Sequence, residues 1–201
     1  MEIIFATGNQ HKVIEAQKAL GNSFALIMPK ELGLTEDIPE NGDTLQANAI
    51  EKAEYLWKKF GKSCFADDTG LEVDALGGAP GVYTARYAGP DKGSDANMEK
   101  LLTELSAVET KEGKISRAAR FRTVVALIID GKLEIFNGVL EGEIATSRSG
   151  SEGFGYDPVF IPQGYNKTLA EISLDEKNAI SHRGKAMRAL AEYLKCLPKA
   201  K

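Results

Sequence analysis

Histidine and cysteine are scarce in this chain, with 2 of each among 201 residues. Cys64 and Cys196 fit neither a metal-ligand spacing nor a disulfide framework, so no zinc set is expected and a reducing compartment is. No apolar run approaches the ~20 residues that a membrane-spanning helix needs. The first six residues have no basic region and too short an apolar stretch for a secretory leader. The expectation is a cytoplasmic protein without a membrane partner. Positive charge is not in excess either: 25 Lys and Arg stand against 29 Asp and Glu, a formal net charge of -4. That gives no general attraction to nucleic acid, and no aromatic-basic stripe is present to bind a single strand. The two common phosphate-loop signatures, G-x-x-x-x-G-K-S/T and G-x-G-x-x-G, are both missing. So are a defensible Ser-His-Asp arrangement, internal repeats and low-complexity tracts.

What remains is an ordinary globular balance, 43% hydrophobic and 27% charged, in a length that suits one domain over residues 1–201. Residues 2–6 read as a buried strand entering the turn Thr7-Gly8-Asn9. Helical spacing of Val13, Ala16 and Leu20 predicts a helix over Gln10–Leu20. Phe24–Met28 reads as a second strand, and 29–43 as an acidic loop with Glu31, Glu36, Asp37 and Glu40. Thr44 is placed to cap a long helix that Gly61 stops, with Leu45, Ala49, Ala53, Leu56 and Phe60 inward. A short strand is expected at 63–66, ending at Asp67-Asp68-Thr69-Gly70. A Gly/Pro-rich loop follows over 77–93, then a helix over Asp95–Leu105. Phe121–Ile129 and Leu133–Leu140 form a hairpin around Asp130-Gly131. A Gly/Ser-rich loop spans 146–157, and a final helix runs over Ser181–Lys195. Strand-helix alternation followed by a hairpin predicts an α/β fold with a mixed sheet flanked by helices.

Four places carry chemistry. At Thr7-Gly8-Asn9 a strand ends and a helix begins, and free N–H groups there attract phosphate; Lys12, one turn in, reaches the same anion. The plain alternative is a capped turn with a solvated lysine. Asp67-Asp68-Thr69-Gly70 sets two carboxylates side by side, which repel unless a cation or donor compensates. Magnesium takes one or two carboxylates plus substrate phosphates, and Glu40 is a possible third member. Here the alternative is a turn whose Asp serves backbone N–H groups. Gly153-Phe154-Gly155-Tyr156-Asp157-Pro158 brackets an aromatic with glycines, so a ring can meet a base; the alternative is a tight turn with its rings in the core. Lys177 and Ser181-His182-Arg183 gather donors near a helix start, for phosphate or base carbonyls, or simply as exposed charge. His11 reads as a surface residue. The four share one theme, a nucleotide site.

The sequence also resembles the inosine triphosphate pyrophosphatase family, in order and over essentially the whole chain. The matching residues are Thr7-Gly8-Asn9 with Lys12 and Glu15, Glu40-Asn41-Gly42, Asn48-Ala49 with Lys52-Ala53, Ala66-Asp67-Asp68-Thr69-Gly70-Leu71, Gly77-Gly78-Ala79-Pro80-Gly81, Thr84-Ala85-Arg86-Tyr87, Gly153 to Pro158, and Lys177 with Ser181-His182-Arg183-Gly184. Thr69 and Thr84 stand where relatives often carry serine, and both keep the hydroxyl.

The resemblance implies an elongated mixed sheet with two lobes and a central cleft. It implies hydrolysis of ITP, dITP and XTP to monophosphate and pyrophosphate, with Mg2+, by a homodimer. Thr7, Gly8, Asn9, Gln10, His11 and Lys12 would bind the triphosphate. Asp68 would be the catalytic acid/base and, with Glu40, a metal ligand. Lys52, Thr69, Phe154, Gly155, Tyr156, Asp157, Lys177, His182 and Arg183 would contact substrate. Rival readings are a Maf-like pyrophosphatase for other nucleotides and a non-catalytic nucleotide sensor. Adjacent carboxylates argue against the sensor, since binding alone does not require them.

Overall fold

The structure, a computed structural model, describes residues 1–90 and 93–197, with the side chains of His11 and Glu112 outside the described set. Among the described residues lie seven strands and five α-helices. In chain order they are β1 (Glu2–Phe5), α1 (Gln10–Leu20), β2 (Ala25–Ile27), α2 (Leu45–Phe60), β3 (Cys64–Val73), β4 (Pro80–Gly81), α3 (Ser94–Glu112), β5 (Ala118–Ile129), β6 (Lys132–Ile144), β7 (Phe160–Pro162), α4 (Leu174–Ile180) and α5 (His182–Cys196). The strands form one mixed sheet in the order β2-β1-β3-β5-β6-β7, with β4 added to β3. β1 is parallel to β2 and β3, whereas β4 and β7 pair antiparallel to their neighbours. The expected mixed sheet flanked by helices is therefore what forms.

Local chemistry accounts for the ends of the elements. The Thr44 hydroxyl accepts from the Ala47 N–H at 3.0 Å, and Gly61 closes α2 in the left-handed region at φ 60°. Asp130 and Gly131, at φ 50° and 73°, make the two-residue turn between β5 and β6. Three expectations need correction. β3 does not stop at residue 66; it runs on through Asp67-Asp68-Thr69-Gly70 to Val73. Pairing with β4 at Leu71 and Glu72 overrides the weak strand preference of Asp and Gly. α3 extends to Glu112, well past Leu105. β7 and α4 went unseen because their 3 and 7 residues are too short for a period to register.

The chain divides into two compact units, and β3, β5 and β6 each contribute residues to both. The first holds Met1–Asp68, Thr123–Gly138 and the chain from His182. Its core joins Ile3, Phe5, Phe65, Val125 and Leu127 of the sheet to Ala16 and Leu20 of α1 and Met187 and Leu190 of α5. The Phe5 and Phe65 rings stack with centroids 4.3 Å apart. The second holds Thr69–Arg122 and Val139–Ser181. There Leu71, Val73, Phe121 and Phe160 pack with Leu101 and Leu105 of α3.

Candidate active site

In a strand, successive side chains point to opposite faces. The odd residues of β3 in the first unit, Phe65 and Asp67, meet α1 and α5; the even ones, Cys64 and Asp68, meet α2. The two adjacent carboxylates therefore belong to different networks. The repulsion expected between adjacent carboxylates is met by separate sets of donors on the two faces of the strand.

Asp67 is almost wholly buried, at 1% exposure. Lys12 Nζ donates to both of its oxygens at 3.0 and 2.9 Å, and Arg183 Nε to Oδ2 at 3.3 Å. Arg183 also gives Nη1 to Glu15 Oε2 at 3.1 Å. Burial alone would push the Asp67 carboxyl up, but Lys12, Arg183 and Lys52 outweigh it and hold it well below the usual range. This carboxylate ties α1 to α5. Glu15 and Asp67 are thus partners of the expected cations, and Lys12 and Arg183 each spend donors on the protein itself.

Asp68 faces α2. Lys52 Nζ donates to its Oδ1 at 3.1 Å and to Glu40 Oε1 at 2.7 Å. Asn48 Nδ2 donates to the other oxygen of Asp68 at 3.2 Å. Here burial wins: the Asp68 carboxyl lies above its ordinary value, with Lys52 offsetting only part of the shift and Glu40 adding to it. Lys52, 5% exposed, stays firmly protonated because Asp68, Asp67 and Glu40 together outweigh its own desolvation. Asn48 enters the sequence reading only as a family-matching residue, with no role attached. The signal was there: Asn48 and Lys52 interrupt the apolar stripe of Leu45, Ala49, Ala53 and Leu56 on the buried face of α2, and buried polar groups need partners.

Glu40 lies on a segment fastened to α2 at successive turns. Gly42 N–H donates to Asn48 Oδ1 at 2.7 Å; Asn41 donates to both oxygens of Glu51, at 2.7 and 2.9 Å; and Glu36 accepts from the Tyr55 hydroxyl and from Lys59.

At the turn into α1, Gly8, Asn9 and Gln10 are exposed, and the Thr7 hydroxyl accepts from the Asn9 N–H at 3.1 Å. A Cβ at Gly8 would meet nothing within 4 Å, so no protein neighbour demands glycine there. The side chain of His11 is outside the described residues.

In the second unit Asp157 is buried and accepts from the Phe154 N–H at 2.7 Å and from Lys177 Nζ at 2.5 Å. Lys177 Nζ lies 4.7 Å from the centre of the Phe154 ring, which is 63% exposed. The aromatic between the glycines is thus presented outward, not packed in the core. Gly153 is required: at φ 85°, its Cβ would come within 2.2 Å of Asp157 Oδ2. Tyr156 takes the opposite course, its ring in the core of this unit and its hydroxyl donating to Thr84 O at 2.9 Å. Of this motif, Phe154 and Gly155 face outward with backbone or ring, while Tyr156 and Asp157 hold them in place. Thr69 opens the second unit's share of β3 and is half-buried. His182 begins α5 in the first unit.

Comparison with known proteins follows the same span. A family model described as the Ham1 family matches residues 3–193. A dITP/XTP pyrophosphatase of Flavobacterium psychrophilum is 48% identical, covering 97% of this chain and 100% of its own. One from Porphyromonas gingivalis is 50% identical, covering 97% and 98%. The structure of a HAM1 protein from Coxiella burnetii is 39% identical, covers 97% of this chain and 98% of its own, and superposes with a TM-score of 0.90.

Proposed function

The chain belongs to the Ham1 family, and from that membership we propose that it hydrolyses purine nucleoside triphosphates such as dITP, XTP and ITP to the monophosphate and pyrophosphate. Relatives carrying the dITP/XTP pyrophosphatase name match it at close to half identity over nearly its whole length. The observation that carries the mechanism is the division of labour between the two aspartates. Asp67 is sealed and neutralised by two cations, whereas Asp68 keeps a half-buried position with its proton affinity raised.

Asp68 is the base in this reading. A water held against it loses a proton to the carboxylate as its oxygen bonds to the α phosphorus, in line with the bridging oxygen between the α and β phosphoryl groups. The bond from the α phosphorus to that bridging oxygen breaks, pyrophosphate leaves, and the monophosphate remains. A base with raised proton affinity is better matched to neutral pH, and such catalysis contributes ~10²–10⁴-fold. Lys52 stays charged throughout and holds Asp68 and Glu40 at one ammonium.

Among the described residues no group of three or more His, Cys, Asp or Glu is placed to hold a metal by itself. Two carboxylates, Asp68 and Glu40, converge on Lys52, and this fits magnesium, which completes its shell with substrate phosphates. When bound, magnesium offsets charge on the phosphate oxygens and on the departing pyrophosphate.

Thr7 to Lys12 bind the triphosphate in this reading. Phe154 offers a face to the purine, with Gly155, Tyr156, Asp157 and Lys177 beside it. His182 and Arg183 complete the donor set, and Thr69 offers a hydroxyl. What supports Phe154 is its outward ring. For Arg183 the two carboxylate bonds favour an anchoring part over reading of the base edge. Residues 1–201 act as one domain, a reading that the three shared strands support. A homodimer follows from the family resemblance, and a cytoplasmic setting is proposed from the scarcity of cysteine. No described helix is long and apolar enough to cross a membrane.

The deciding experiment incubates the protein with dITP, XTP, pyrimidine triphosphates and ATP plus magnesium, scoring pyrophosphate against orthophosphate. One-step pyrophosphate from dITP and XTP, abolished by chelation, is expected. Orthophosphate with accumulating diphosphate would overturn the reading, and a preference for pyrimidines would favour the Maf-like alternative.

A further inference from the structure

Asn48 is 2% exposed on the inner face of α2, where a primary amide is costly unless both its ends are bonded. Both are. The Gly42 backbone N–H can only donate, and it lies 2.7 Å from one end of the amide, which fixes that end as the oxygen. The NH2 end therefore faces Asp68 Oδ2, at 3.2 Å. One helical turn further on, Lys52 donates to the other oxygen of the same carboxylate at 3.1 Å. A single helix thus grips both oxygens of Asp68, which stops the carboxylate from rotating about its Cβ–Cγ bond. Each oxygen keeps a lone pair for a water.

The approach of the Gly42 backbone is itself tightly set. A Cβ at Gly42 would fall 2.6 Å from Ala47 Cβ and 3.0 Å from Asn48 Oδ1. Only glycine lets the segment carrying Glu40 come down onto α2 and clamp the amide.

From this we infer that Asn48 is a positioning residue for the hydrolytic step: it holds the plane of the Asp68 carboxylate so that a lone pair is aimed at the attacking water. It does not touch the substrate. The inference rests on the reading of Asp68 as the base.

A structural role alone and a positioning role separate cleanly in two variants. Asn48→Asp keeps an acceptor for the Gly42 N–H but replaces the donor facing Asp68 with another acceptor. Asn48→Ala loses both bonds. The measurements are kcat and KM for dITP with saturating magnesium, alongside melting temperature, with Asp68→Asn as reference. A positioning role predicts a kcat loss of about 10- to 100-fold in both, as for other groups that orient a catalytic ligand. The Asp variant should be at least as impaired as the Ala variant, with KM nearly unchanged, because aim matters in the transition state and not in binding. Parental kcat in a folded Asn48→Asp would overturn the inference and leave Asn48 as a fastener of the segment. If the added charge prevents folding, Asn48→Ala decides: a lowered kcat at a temperature where it is fully folded supports positioning, and an unchanged kcat refutes it. Full activity in Asp68→Asn would instead refute the reading of the base itself.

Discussion

Asp67 and Asp68 are chemically identical neighbours, yet exchanging each for asparagine should cost stability to very different extents. Asp67→Asn strips the charge that Lys12 and Arg183 share at 1% exposure. Removing one partner of a buried ion pair costs about 3–5 kcal/mol. For a chain of this length each kcal/mol shifts melting by about 2–4 °C, so a fall of about 6–20 °C is expected. Asp68→Asn removes a carboxylate whose ionised form burial already disfavours, and Lys52 keeps Glu40 at 2.7 Å. Asparagine has one acceptor for the two donors Asn48 Nδ2 and Lys52 Nζ, and relief of the buried charge offsets part of that loss, so melting should fall by less than in Asp67→Asn while turnover is lost. The pH dependence follows from the directions. Asp67 is depressed in the folded state, so its contribution is fully present above the ordinary aspartate value of about 3.9 and fades as pH falls below it. The Asp67→Asn deficit should therefore be constant near neutrality and shrink in acid. Asp68 is raised, so its penalty is full above its folded value, shrinks as pH falls below that value and is gone below the ordinary aspartate value of about 3.9. Thermal and urea unfolding followed by the fluorescence of Trp57, the one tryptophan, measures both. Equal losses in the two variants, or an Asp67→Asn protein as stable as the parent, would refute the division of labour.

Other substitutions test separate parts. Gly138→Ala would put a Cβ 2.0 Å from His182 O and 2.7 Å from Ala186 N, against helix backbone that cannot swing away; a loss of at least the 1–3 kcal/mol usual for overpacking (an approximate range) should show in melting, whereas Gly8→Ala should melt like the parent. Phe154→Ala should cost about 1–3 kcal/mol of substrate binding, read as a raised KM, with melting unchanged because the ring is 63% exposed; a normal KM would refute stacking. Burial pushes the Cys64 thiol up to about 12 while Cys196 is exposed, so the native protein should titrate one rapidly reacting thiol and the unfolded protein two.

Much of this was readable from residues alone. α1 was readable over its full length because its apolar spacing is regular, and α2 because Thr44 and Gly61 mark both ends. Asp67, Asp68, Glu40, Lys12, Lys177 and Phe154 are each legible by type, whereas Lys52 enters only through the family resemblance. What stayed hidden was allocation. Asp67-Asp68-Thr69-Gly70 looks like a turn by composition, and only sheet pairing makes it strand; with the strand missed, the alternation that sends Asp67 to α1 and Asp68 to α2 was missed too. Asn48 carries no role in the sequence reading beyond the family match, although it sits inside an apolar stripe. Asp157 is legible as a polar member of the motif, but nothing local says that its carboxylate turns back onto Phe154 and Lys177.

The segment from Glu36 to Gly42 is measured against α2. Its two ends are pinned to residues eleven positions apart on the helix, Asn48 and Lys59, a rise of about 16 Å. Six residue steps reach at most about 20–22 Å, so the segment runs alongside the helix and does not loop away from it. Surface connections ordinarily absorb insertions and deletions at small cost. This one is held in turn at Gly42, Asn41, Glu40 and Glu36, so a residue added or removed between those pins puts them out of step with the turns of α2. The stretch behaves as a ruler, and its length is as constrained as the identity of any residue on it.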